Sequence, residues 1–370
     1  MDLCSLCEIK LTTENDSREH IIPNSIGGRR KIKGFLCQKC NSTTGEEWDT
    51  ELSKQLNPLC LMFFIQRERG SPPSQTFETT EGRSLTLHSE GGMSPAKVSF
   101  EEVTVDGKTS IRIIARDIKE AKSILKGVKS KHPTINIDQL ISDLIPTEEY
   151  LSGMLKFDLA FGGPNSGKSI VKSTLCLAHS AGVASTSCEQ AIEYLRRDGN
   201  PCFGYYNEQD LVENRPLNTP LHCVAIQGDP DSGLLLGYVE YFGIQRMIVC
   251  LSENYVGSKI SKSYAINPVT GVELTLNIRM PLSLEDVYAT YDYEKYDPVK
   301  MQQCFEAVIP VALAMSEARE RDRVLSEAVK FAFENCGANE GELITDAQYK
   351  KFCRLMAEKL APYVLRQKQP

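Results

Sequence analysis

Cys4-Ser5-Leu6-Cys7 and Cys37-Gln38-Lys39-Cys40 bracket the stretch Arg18-Glu19-His20-Ile21-Ile22-Pro23-Asn24-Ser25-Ile26-Gly27-Gly28-Arg29, and this bracket decides how the N-terminus folds. Two residues between cysteines let both sulfurs of one turn reach one ion. Two such turns complete a tetrahedral four-sulfur site, which is the geometry of structural zinc. A module as short as residues 1–65 buries little apolar surface, so a metal whose binding adds directly to folding is expected. A redox pair needs one CxxC rather than two, and unrelated buried cysteines would not fall into two matched spacings.

Inside the bracket a carboxylate stands next to a histidine, followed by an apolar pair, a proline and Gly27-Gly28. Adjacent side chains on a strand point to opposite faces, so Glu19 and His20 can serve one site only at a bulge or strand end. Asn41 directly follows the second cysteine pair. Thr44-Gly45-Glu46-Glu47, with Trp48, Leu52 and Leu56, predicts a helix there. Arg29, Arg30, Lys31 and Lys33 concentrate positive charge on a chain of net charge −7. They are candidate contacts to nucleic-acid phosphates; a solvated turn is the bland alternative.

These residues resemble the HNH nucleases of the ββα-metal fold, in the branch with two CxxC pairs. The resemblance covers CSLC…REHIIPNSIGGR…CQKCNSTTGEEWD, roughly residues 4–56. It implies two strands and a helix around one catalytic Mg or Mn ion, braced by structural zinc on Cys4, Cys7, Cys37 and Cys40. His20 matches the general base, Glu19 the acidic ligand of the catalytic metal and Asn41 its last ligand. Asp49, farther along the helix, is a second-line ligand with N-capping or a surface position as its alternative. The resemblance further implies DNA as substrate, with RNA left open, and a restriction or phage-defence setting. The asparagine that braces the catalytic histidine in many members would fall near Ile32 or Lys33, and neither is asparagine. That departure favours the competing reading, a non-catalytic zinc-braced nucleic-acid-binding protein.

The expected fold class is α+β: a small zinc-braced ββα module, then a larger mixed domain with a helical C-terminal tail. The boundaries are 1–65 for the module, 66–83 for a Ser/Pro/Gly-rich linker, 84–300 for the α+β domain and 301–370 for the tail. Strands are predicted at SLTLH, KVSFEEVTV and TSIRIIA, with Asp106-Gly107 as a hairpin turn. A helix follows with Ile118, Ala121, Leu125 and Val128 on one face. LKFDLAF reads as a strand, CEQAIEYLRRD as a helix ending at Gly199, and HCVAI, GLLLGYVEYFG, RMIVCLS and SYAINPVTGVELTLNIRM as further strands, the last a hairpin. Thr345 and Gln348 form a candidate capping box for the final helix.

Gly162-Gly-Pro-Asn-Ser-Gly167-Lys168-Ser169 fits the phosphate-loop pattern, with a predicted strand before it and a helix after it. In a nucleotide-dependent switch Lys168 would reach the terminal phosphates and Ser169 would hold Mg. No strand ends in the aspartate such a site needs, and a structural glycine turn is the competing reading. No eighteen-residue apolar run marks a membrane span, and MDLCSLCEIK does not read as a signal peptide, so a cytoplasmic location is expected. Cys176, Cys250 and Cys304 read as small buried hydrophobes, and His88, His132, His179 and His222 as structural.

Overall fold

The computed structural model describes residues 3–105, 108–142, 151, 153–197 and 199–366. The N-terminal part is β1 (Glu19–His20), β2 (Lys31–Ile32) and α1 (Gln38–Thr44), which continues through a π-helical turn at Gly45–Asp49 into α2 (Thr50–Met62). This ββα order is the one expected. The helix, however, begins at Gln38, ahead of the start expected at Asn41, because Cys37 caps it: the Cys40 N–H points at the Cys37 sulfur.

Next come β3 (Gln75–Thr79), β4 (Ser84–Leu87), β5 (Met93–Pro95), β6 (Ser99–Val105), β7 (Lys108–Ile114), α3 (Ile118–Lys131), α4 (Ile137–Ser142) and β8 (Leu155–Lys156). Strand β3 lies within the stretch 66–83. The turn expected at Asp106-Gly107 falls outside the described residues, although β6 and β7 pair as that turn requires. Only Leu155–Lys156 of LKFDLAF is a strand, because β3 offers it partners at Glu78 and Thr79 alone.

After α5 (Pro164–Ser180) and α6 (Glu189–Arg197), an antiparallel sheet runs β14-β13-β10-β11-β12-β9. Its strands are β9 (Phe203–Tyr205), β10 (His222–Asp229), β11 (Leu234–Tyr241), β12 (Gln245–Ser252), β13 (Ile260–Ile266) and β14 (Glu273–Leu274). Every residue of β11 and β12 is buried, so these strands lack the polar alternation of a one-sided sheet. One face packs a core that includes Leu236, Tyr238, Ile248 and Cys250, closed by Val287 of α7 (Leu284–Tyr291). The helix α5 covers the other, and approaches so closely that a Cβ at Gly237 would stand 2.6 Å from Thr174 Cγ2.

Two compact units result: residues 1–215 with 220–301, and residues 216–219 with 302–370. The second holds most of α8 (Pro298–Cys336) and all of α9 (Asp346–Arg366), which meet through Phe333 and Phe352 at a 4.6 Å ring separation. Thr345 and Gln348 do form the expected capping contact, with the Gln348 side chain accepting from the Thr345 N–H. Among the described residues, no helix is long and apolar enough to cross a membrane.

The N-terminal module and the large sheet share one unit, and His222 joins them. Its ring is fully buried. Nδ1 accepts the Phe242 N–H at 2.9 Å, so Nε2 carries the proton and donates to the Ile26 carbonyl at 2.8 Å. The loop so held is tight, since a Cβ on Gly28 would meet the Ile22 carbonyl oxygen at 1.8 Å.

Burial pushes the His222 pKa down to about 4, against the weaker upward pull of its backbone partners. A depressed histidine contributes stability above its unfolded pKa of about 6.5 and loses it as pH falls through the folded value. Urea denaturation between pH 7.5 and 4 should therefore show a His222 component of up to about 1.4 kcal/mol per pH unit. The His222→Gln variant should lack that component. Equal slopes for the two proteins would place the acid sensitivity elsewhere.

Candidate functional site

The four cysteine sulfurs lie within 4.8 Å of one another, and Cys7 Sγ to Cys37 Sγ is 3.7 Å. Tetrahedral zinc with bonds of about 2.3 Å separates its sulfurs by about 3.8 Å, so the cluster has the size of a structural zinc site. Burial raises the Cys4 thiol, but N–H groups of Cys37, Cys7 and Leu6 outweigh it and bring the pKa to about 7. Among the described residues this is the one group of three or more Cys, His or acidic side chains drawn close enough to share an ion.

Beside it, a cleft of about 480 Å³ is lined by Glu19, His20, Asn41 and Asp49, together with Lys54 and Arg67. Strand β1 is two residues long, and it pairs Glu19 with Ile32 and His20 with Lys31. Both catalytic candidates thus stand at a strand end, and both reach the cleft. The Asn41 amide donates from Nδ2 to Ser17 Oγ at 2.9 Å, which leaves Oδ1 without a partner among the described residues. His20 Nε2 is buried without a hydrogen bond, and Glu68 Oε1 lies 3.6 Å away. Burial first, and Lys31 second, lower the His20 pKa, while Glu68 pulls the other way.

Glu19 is 4% exposed, and its Oε1 lies 2.7 Å from Lys172 Nζ. Burial raises the Glu19 carboxyl and Lys172 opposes that rise. Both oxygens of Asp49 are engaged: Ser169 Oγ donates to Oδ1 at 2.6 Å and Lys172 Nζ to Oδ2 at 2.7 Å. Asp49 makes no N-cap hydrogen bond. Glu19 Oε2 and Asn41 Oδ1 accept no hydrogen bond among the described residues, and both residues line the cleft; hard oxygen donors of this kind fit a divalent cation that keeps several waters.

The basic turn is paired within the chain. Arg29 donates to the Gln66 carbonyl at 2.8 Å, Arg30 pairs with Glu273 and stacks over the Tyr264 ring, and Lys31 pairs with Glu68. Lys33 is exposed. The sequence reading missed Lys54 and Arg67, which carry no motif. Arg67 Nε and Nη2 are buried without a hydrogen-bond partner, an uncommon state for a guanidinium.

The Gly162–Ser169 pattern forms no phosphate cradle. Helix α5 already begins at Pro164, so Gly167 to Ser169 lie inside it instead of leading into it. Gly162 exchanges both backbone hydrogen bonds with the Gln55 side chain. Lys168 lies over the Trp48 ring, and fully buried Ser169 donates to Asp49. The glycine pair serves as a turn, with φ of +131° at Gly162 and +87° at Gly163. Of the other histidines, His88 meets Ser94, His132 meets Glu102 and His179 packs on Phe35.

Residues 4–57 match a family model described as HNH endonuclease. No curated protein and no solved structure matches the chain. The matched span holds the cysteine tetrad, both strands and the helix that carries Asn41, so residues 4–57 form a domain of the HNH endonuclease family, whose substrates are nucleic acids.

Proposed function

We propose that this protein is a divalent-metal-dependent endonuclease that hydrolyses phosphodiester bonds of DNA. The observation that carries this reading is the meeting of Glu19, His20 and Asn41 on one cleft, with a carboxylate oxygen, an amide oxygen and an imidazole nitrogen left without hydrogen bonds. Glu19 and Asn41 would hold Mg or Mn, which supplies charge stabilisation to the scissile phosphate as its bonds rearrange. His20 accepts the proton of the attacking water, a task that its lowered pKa suits, because the ring is neutral at pH 7. Arg67 and Lys54 offer positive charge to phosphate oxygens on the same wall.

Zinc on Cys4, Cys7, Cys37 and Cys40 braces the module and takes no part in the chemistry. The pairs of Arg30 with Glu273 and Lys31 with Glu68 are partly exposed and worth little, so DNA phosphates can displace the acidic partners. Asp49 acts as a counter-ion, since Ser169 and Lys172 take both its oxygens. The large domain governs where or when cutting occurs. Restriction, as in phage defence, is the setting that the family resemblance suggests for it.

Purified protein should contain about one zinc per chain, and Cys4→Ser or Cys37→Ser should lose it together with the thermal transition of the module. Unchanged melting after stringent chelation would count against a bracing metal.

Plasmid nicking with Mg or Mn tests the catalytic reading. His20→Ala should lose a factor of about 10²–10⁴ that added metal does not restore. The loss in Glu19→Gln should be partly recovered by excess Mn. The acid limb of the wild-type pH–rate profile should lie below about 6.5, because the base stays neutral to lower pH than free histidine. Tight DNA binding by zinc-loaded wild type without nicking would instead support the non-catalytic zinc-braced reading.

A further inference from the structure

Lys172 approaches the catalytic carboxylates from the protein side. The residue is 1% exposed, it belongs to α5 of the large domain, and it is not among the residues lining the cleft with Glu19 and Asp49. Nζ stands 2.7 Å from Glu19 Oε1, 2.7 Å from Asp49 Oδ2 and 3.4 Å from Thr44 Oγ1. Lys172 Nζ is at ion-pair distance from both carboxylates, so the triad sets one basic side chain against two acidic ones. Glu19 Oε2 accepts no hydrogen bond among the described residues, whereas Ser169 and Lys172 take both oxygens of Asp49.

We propose that Lys172 is a resident cation of the nuclease centre, which neutralises Asp49, bars it from the divalent ion and leaves Glu19 as the one anionic ligand facing the cleft. The inference rests on the reading of Glu19 as a metal ligand. Its physical content is Coulombic. A fixed positive charge behind Glu19 repels a divalent ion in front of it, so the centre binds that ion more weakly than a bare pair of carboxylates would. Without the ammonium, two buried carboxylates would lack any cation, and a divalent ion is the one that can bridge them. Lys172 is thus a positioning residue: it acts through Glu19 and Asp49 and has no access to substrate.

The test is a Mn²⁺ titration of the zinc-loaded full-length chain, with free Mn²⁺ read by electron paramagnetic resonance. Lys172→Met should bind Mn²⁺ at least about tenfold more tightly than wild type, because a like charge has been removed. Adding Asp49→Asn to Lys172→Met should return the affinity toward wild type. Mn²⁺ should also raise the melting temperature of Lys172→Met more than that of wild type, as tighter binding to the native state requires. If Lys172→Met does not fold, Lys172→Gln keeps a hydrogen-bond donor without the charge and is read in the same two ways. Equal or weaker Mn²⁺ binding by these variants, while Glu19→Gln weakens binding to wild type, would overturn the resident cation and leave the metal reading standing. Affinity unmoved by Glu19→Gln and by Asn41→Ala would overturn both.

Discussion

The ammonium of Lys172, buried between the carboxylates of Glu19 and Asp49, is the constraint that ties the N-terminal module to helix α5. Removing one partner of such a buried group costs about 3–5 kcal/mol, because the charges left behind have neither water nor a counter-ion. The helix that carries Lys172 is buried almost all round, with the six-stranded sheet on one side and the nuclease module on the other. Small side chains make that possible: Ser166, Gly167, Ser169 and Ser173 let α5 lie close to its neighbours. The N-terminal module and the large sheet therefore share one core. A helix shift of a fraction of a hydrogen-bond length would alter the electrostatics of the cleft.

Three independent devices hold the N-terminal module together and against that core. The cysteine cluster ties the N-terminal turn to the start of α1, the His222 ring grips the Ile26 carbonyl, and the Gly162 backbone is matched to the Gln55 side chain. Each joins segments far apart in sequence, so each adds order that local propensity cannot supply. The result is a cleft on which Asn41 Oδ1 and His20 Nε2 have no hydrogen-bond partner among the described residues. Asn41 is anchored through its nitrogen and His20 is packed by burial. In the proposed nuclease, such preorganisation would let a small module hold reacting groups without further motion.

The local part of this was legible in the sequence. Matched CxxC spacings predict the sulfur cluster, and the adjacent Glu19-His20 pair predicts a strand end, which the two-residue β1 provides. The non-local part was not legible, for physical reasons. Lys172 is one lysine in a helix, and nothing in its neighbourhood announces burial. Its role exists only once α5 is docked. Arg67 likewise gains meaning from the wall that it lines. The phosphate-loop pattern misleads because glycine, lysine and serine at that spacing also suit a helix start pressed against another helix; hydrogen bonding to Gln55 and Asp49, not spacing, separates the two. The helix start ahead of Asn41 was missed because the cap is a cysteine sulfur, which capping preferences do not weigh.

The central claim is that the catalytic ion sits on the cleft side of Glu19 while Lys172 keeps the other side. Anomalous diffraction from crystals of the zinc-loaded protein soaked in Mn²⁺ tests it most directly. A zinc peak is expected within Cys4, Cys7, Cys37 and Cys40, and a separate manganese peak against Glu19 and Asn41. Lys172 should still lie between Glu19 and Asp49. A manganese peak between Glu19 and Asp49 with Lys172 displaced, or a cleft that takes up no manganese, would contradict it.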